Sequence, residues 1–180
     1  MFICNKYKFI WHDIPKTASC SIQIFLNRIE WEVERVGRHN FKYVEGDYFR
    51  WSVVRNPYDR LVSAWSRAMK HIHNKTPFAD WLRLLESDFR IKRSQHSMIK
   101  MATNNNAVPI HIIHYENLLE ELFELPFINF FGGKEDFPSE NVSIRDRDWN
   151  KYLDKESEQL IWDRFKRDFE TFGYKRRVIC

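Results

Sequence analysis

Apolar residues follow a repeating pattern along this chain: a short continuous run, a stretch with helical spacing, then another run. Residues 6–14 form the first run and stop at Pro15, which predicts a buried strand. Ile22, Phe25, Leu26 and Ile29 recur at i, i+3, i+4 and i+7, so 19–30 should form a helix with one apolar face. Residues 31–36 alternate as a strand does, and Gly37 closes them before a polar connection through His39 and Asn40. Residues 48–55 carry the strongest strand signal, with Tyr48, Phe49, Trp51, Val53 and Val54. Asn56, Pro57 and Asp59 then read as an N-cap, a first helical residue and an acidic third position. The helix they open, 57–72, has Tyr58, Leu61, Val62, Trp65, Met69 and Ile72 on one stripe. Asp59, Ser63, Ser66 and Lys70 occupy another face. Farther on, 77–86 reads as a short helix, 90–106 as polar and partly helical, 109–115 as a buried strand and 116–124 as a helix. A loop over 132–151 leads into a last helix, 155–171, apolar through Leu160, Ile161, Trp162, Phe165, Phe169 and Phe172. Strands alternating with helices predict an α/β domain with a central parallel sheet covered on both faces.

At 180 residues the chain reads as one domain, 1–180, large enough for a core of its own. Its aromatic content of 16% excludes a disordered chain. Only five glycines occur, which argues against a glycine-rich nucleotide loop. The net charge of +4 suits an anionic ligand but is too small and dispersed to indicate nucleic acid. Cys4, Cys20 and Cys180 form no CxxC pair, so a reducing cytosol is expected. No apolar run approaches the ~18 residues of a membrane span, and no apolar leader opens the chain. A cytoplasmic protein with no membrane partner is therefore the expectation. The sequon Asn141-Val142-Ser143 would matter only in a secreted protein.

Candidate chemistry concentrates where two strands run into helices. After the first strand comes Ile14-Pro15-Lys16-Thr17-Ala18-Ser19-Cys20-Ser21. A helix starting near Ser19 would aim backbone N–H groups at the strand end. Lys16 adds a full charge there, and Thr17, Ser19 and Ser21 add hydroxyls. This is either a cradle for a phosphate or sulfonate, or an N-capped helix beside a surface lysine. No G-x-x-x-x-G-K-S/T stretch exists, and the nearest fragment, Gly133-Lys134-Glu135, lacks the hydroxyl. At the second joint, Arg55 ends a buried strand, where a guanidinium needs a partner. That partner is a bound phosphate or a structural carboxylate such as Asp59, and Ser63 is placed to reach the same anion.

Residues 15–21 resemble the 5′-phosphosulfate loop of sulfotransferases that use 3′-phosphoadenosine 5′-phosphosulfate (PAPS). Arg55-Asn56-Pro57-Tyr58-Asp59-Arg60-Leu61-Val62-Ser63-Ala64-Trp65 resembles their 3′-phosphate-binding strand and helix. The likeness is greatest to the carbohydrate branch that includes the heparan sulfate 2-O-sulfotransferases. Ile112-Ile113-His114-Tyr115-Glu116-Asn117-Leu118 resembles the family's late strand with its Tyr-Glu-Asp-Leu-like end. Residues 160–174, closed by Asp168 and Gly173-Tyr174, resemble its terminal helix.

The resemblance implies a P-loop-like three-layer fold and PAPS as donor with no metal. It implies transfer of a sulfuryl group to a hydroxyl of a small molecule or carbohydrate. It places Lys16 on the 5′-phosphate and bridging oxygen, with Thr17, Ala18, Ser19, Cys20 and Ser21 in support through backbone or hydroxyl groups. It places Arg55 and Ser63 on the 3′-phosphate. Cys20 stands where the family often has Thr, which removes one hydroxyl.

Sulfuryl transfer builds charge on the leaving phosphate, which suits Lys16, and requires a proton to leave the acceptor. His39 is the expected base, because related carbohydrate sulfotransferases place a histidine in a similar segment. His12 lies four residues before Lys16, His71 and His73 lie near a helix end, and His96 lies in a stretch that borders the acceptor region. His111 and His114, three apart on a strand, face opposite sides, and no histidine cluster has zinc spacing. Arg145 and Arg147 read as a solvated charge run or as the basic segment that closes over the nucleotide in the family. Lys175-Arg176-Arg177 reads as a soluble tail, or as an attraction for a polyanion. Two other readings stay open: a non-catalytic nucleotide-binding module, and a P-loop-type nucleotide kinase, for which the glycine loop and magnesium carboxylate are missing.

Overall fold

The computed structural model describes residues 1–28, 33–37, 39–70, 72–73, 76–85, 89–138 and 146–179. Residues 29–32, His71, 86, the 141–143 sequon, Arg145 and Cys180 lie outside the described residues. The strands are β1 (Phe2–Cys4), β2 (Phe9–His12), β3 (Val33–Arg35), β4 (Phe49–Val54) and β5 (His111–His114). The helices are α1 (Ser19–Leu26), α2 (Pro57–Ala68), α3 (Phe78–Arg83), α4 (Phe89–Lys92), α5 (Gln95–Ala102), α6 (Leu118–Leu122) and α7 (Lys155–Phe172). The chain divides into two compact units, Met1–Arg55 with Ser97–Val142 and Asn56–His96 with Ser143–Cys180.

The first unit holds a mixed sheet in the order β3-β1-β2-β4-β5. Strands β2, β4 and β5 run parallel, whereas β1 is antiparallel to both β2 and β3. The expected central parallel sheet holds for β2, β4 and β5, and the β1 and β3 side departs from it. The expected strand over 6–14 is a hairpin arm instead, because residues 5–8 form the turn between β1 and β2. A connection that short can only return antiparallel. The expected buried strand over 109–115 is a four-residue edge strand in which only Ile113 is buried.

Alternate strand residues build the core. Phe2, Phe9, Trp11, Trp51, Val53 and Ile113 meet Ile22, Phe25 and Leu26 of α1 on one face of the sheet. Leu122, Leu125, Phe127, Ile128 and Phe131 complete that cluster. Ring stacking pins it, with centroids 4.3 Å apart for Phe9 and Phe127 and 5.5 Å for Trp11 and Trp51. On the other face, buried Arg50 gives its guanidinium protons to the carbonyls of Tyr48, Val44 and Gly46.

The second unit packs α2, α3 and α7 around Tyr58, Leu61, Val62, Phe78, Leu82, Ile161, Phe165 and Phe169. Helix α2 is buried all round in its first two turns, Asp59, Arg60 and Ser63 included, so its expected polar face is not a solvent face. Ile72, expected on the apolar stripe, is exposed. The polar groups enclosed here are matched by the unit's own chain. Asp168 accepts the backbone N–H groups of Gln95 (2.9 Å) and His96 (2.8 Å) at the start of α5. Tyr58 donates its hydroxyl to Glu158, whose carboxylate also takes the Arg176 guanidinium at 2.9 and 3.1 Å. Arg177 reaches Asn150, and its N–H meets the Tyr58 hydroxyl, so the basic tail is docked rather than loose.

Candidate active site

Strand β2 ends at His12, and the chain turns sharply through 13–18 before α1 begins. Two non-glycine residues of this turn sit in left-handed backbone, Lys16 at φ 72° and Ala18 at φ 65°. Each costs about 1–2 kcal/mol against the right-handed conformation, and strain of this kind gathers at ligand clamps. Thr17 Oγ1 and Ser19 Oγ both donate to the Ile14 carbonyl at 2.8 Å, bracing the turn. Their hydroxyl protons are thus committed to the loop, so these residues have backbone N–H groups to offer an anion.

Ala18 is the N-cap of α1. Its methyl group is no acceptor, and no acidic residue lies in the first turn. The first intrahelical bond runs from Ile22 N to Ala18 O (3.1 Å). The amides of residues 19–21 therefore have no intrahelical acceptor and carry the positive end of the helix dipole. Ser21 is buried here, and Cys20 is half-buried.

Arg55 follows β4 directly. Its guanidinium is almost buried, donates from Nη1 to the Lys16 carbonyl at 3.0 Å, and lies 3.8 Å from the ring centre of Tyr115. Three parallel strands thus contribute one part each at their carboxyl ends: β2 the loop, β4 the arginine, β5 the tyrosine. Open α/β sheets bind ligands at that end. Tyr115 had no role assigned from sequence, although an aromatic residue at the end of a late strand was its signal. Ser63 lies in α2, in the second unit, and is 3% exposed.

His39 belongs to the first unit and sits at φ 52°. Its Nδ1 lies 2.8 Å from the Asp13 carbonyl oxygen, and its backbone N–H meets the Asp13 carboxylate at 3.1 and 3.2 Å. Asp13, 2% exposed, escaped the sequence reading. His12 is fully buried, and neither ring nitrogen has a hydrogen-bond partner among the described residues. Burial, with Arg50 adding to it, holds its pKa at about 3, so it stays neutral.

The remaining candidates lie elsewhere. His96 holds Asp168 through its backbone and meets Thr171 Oγ1 through Nδ1 at 3.0 Å. His114 gives its backbone N–H to Glu121, and Arg147 is exposed. Among the described residues no group of His, Cys, Asp and Glu could hold a metal ion, and no helix is long and apolar enough to cross a membrane.

Neither a curated protein nor a solved structure matches the chain. The model of the sulfotransferase family matches residues 1–175, both joints included.

Proposed function

The chain belongs to the sulfotransferase family, and from that premise we propose that it moves a sulfuryl group from PAPS to a saccharide hydroxyl. The proposed setting is one cytoplasmic, P-loop-like domain spanning 1–180. The observation that carries this reading is the bond between Arg55 and the Lys16 carbonyl, which ties a buried cation to a strained, uncapped helix start. Two anion-attracting groups held in one unit suit a nucleotide with phosphates on both sides of its ribose.

Lys16 and the N–H groups of Ala18, Ser19, Cys20 and Ser21 hold the 5′-phosphosulfate, while Thr17 braces the loop. Arg55 takes the 3′-phosphate, with Ser63 as its companion by the family resemblance. The acceptor oxygen bonds to sulfur as the bond from sulfur to the 5′-phosphate oxygen breaks. The electron pair stays on that phosphate, where Lys16 offsets the growing charge. His39 takes the acceptor proton.

The test is transfer of label from sulfur-labelled PAPS to a panel of desulfated glycosaminoglycans. Label should move to at least one glycan, and Lys16→Ala should slow it about 10²–10³-fold, as loss of one oxyanion-type donor does. Tight binding of the spent donor with no transfer to any glycan would replace this reading with a non-catalytic nucleotide-binding module.

A further inference from the structure

We propose that Asp13 is the positioning residue that holds His39 as a proton acceptor at Nε2. The proposal rests on the reading of His39 as the base and adds the group that orients it. A carbonyl oxygen has no proton to give, so the ring nitrogen 2.8 Å from the Asp13 carbonyl must carry the hydrogen. The Asp13 carboxylate oxygen, 3.2 Å from the same nitrogen, favours the same tautomer. With the proton on Nδ1, the neutral ring has its lone pair on Nε2.

The carboxylate does a second thing. It accepts the His39 backbone N–H through both oxygens, at 3.1 and 3.2 Å. His39 is a non-glycine residue at φ 52°, a conformation that costs about 1–2 kcal/mol. A buried carboxylate gripping that N–H offsets the cost and fixes where the ring begins. Asp13 directly follows β2 and stands three residues before Lys16, so one short segment sets both the base and the start of the donor loop. The logic is that of nucleophile activation generally, in which the base is oriented by a third group. Here Asp13 supplies its main chain to the ring, and its carboxylate, itself paired with the Met1 ammonium at 2.5 Å, to the backbone and the ring edge.

The experiment labels the full chain with nitrogen-15 histidine and reads ring tautomers from long-range proton–nitrogen correlations at pH 8. His39→Gln assigns the signal by its loss. This readout needs neither donor nor acceptor. The expected wild-type result is the Nδ1–H form. In Asp13→Asn the main-chain carbonyl stays and keeps the hydrogen on Nδ1, while the side chain grips the His39 backbone N–H through one oxygen instead of two and the ring shifts. Release of labelled sulfate from PAPS to water should then fall about 10²-fold, the scale of a misplaced reacting group, with affinity for the product nucleotide unchanged.

A wild-type His39 in the Nε2–H form overturns the proposal, and this holds even if the variant does not fold. An Asp13→Asn protein that keeps the wild-type turnover also overturns it. Undiminished sulfate release by His39→Gln would instead remove the base reading, leaving the tautomer result to stand alone.

Discussion

Helices α1 and α7 begin in opposite ways. Helix α7 opens with a closed box: the Asp154 carboxylate takes the Ser157 N–H at 2.7 Å, and the Ser157 hydroxyl takes the Asp154 N–H at 2.9 Å. Glu156 and Glu158 add negative charge to its first turn. Helix α1 opens on Ala18, in left-handed backbone, with no side-chain acceptor and no acid. The chain therefore forgoes a cap worth about 0.5–2 kcal/mol at α1 and accepts strain beside it. The arginines differ in the same sense. Arg176 meets a carboxylate, whereas Arg55 donates to the Lys16 carbonyl and lies against the Tyr115 ring. One helix end is finished by its own side chains; the other has no side-chain cap.

The largest effect should come from closing α1 as α7 is closed. Ala18→Asp places an acid in the cradle, and like charges about 4 Å apart at an effective dielectric of about 20 cost about 4 kcal/mol. Affinity for adenosine 3′,5′-bisphosphate should fall about 10³-fold by calorimetry, while the melting temperature holds or rises. Unchanged affinity would mean that α1 is an ordinary helix start.

Arg55→Ala should lower the same affinity by about 10–10²-fold, the worth of hydrogen bonds to a charged group. A matching Arg176→Ala should leave affinity alone and reduce stability instead.

The pH response sharpens the contrast between matched and unmatched polar groups. His12 has a folded pKa of about 3 against 6.5 in the open chain, so the unfolded state takes the proton first as pH falls. Stability is full above pH 6.5 and is lost below it by about 1.4 kcal/mol per pH unit. Chemical denaturation at pH 7 and pH 5 should show this loss in the wild type and little of it in His12→Leu. Glu158 acts lower, because Arg176 and the Tyr58 hydroxyl hold its carboxyl below the usual 4.5, so its contribution disappears only as pH falls through that depressed value.

The smallest effect belongs to Asp154→Ala. It should cost about 0.5–2 kcal/mol of stability by urea titration and leave nucleotide affinity untouched.

Local chemistry was legible in the sequence, and non-local pairing was not. The 3.6-residue period over 155–171 foretold α7, which ends at Phe172 with Gly173 at φ 72°. Asn56 was readable as a cap because the cap and the N–H it accepts are two residues apart. Strand β1 was missed because it is three residues long and its hairpin turn uses Lys8 at φ 53° in place of a glycine signal. The burial of Arg60 could not be seen from α2 alone, since its neighbours Arg93 and Asp168 come from distant segments. At the site, Lys16 to Ser21 and Arg55 stood out because each motif is continuous. The grip of Asp13 on His39, 26 residues away, leaves no periodic trace.

The most direct test of the two-joint account is calorimetric titration with adenosine 3′,5′-bisphosphate and, separately, with 5′-AMP. The account predicts tight binding of the bisphosphate, weak binding of the monophosphate, and loss of that preference in Arg55→Ala. Equal binding of both nucleotides, or of neither, would contradict it.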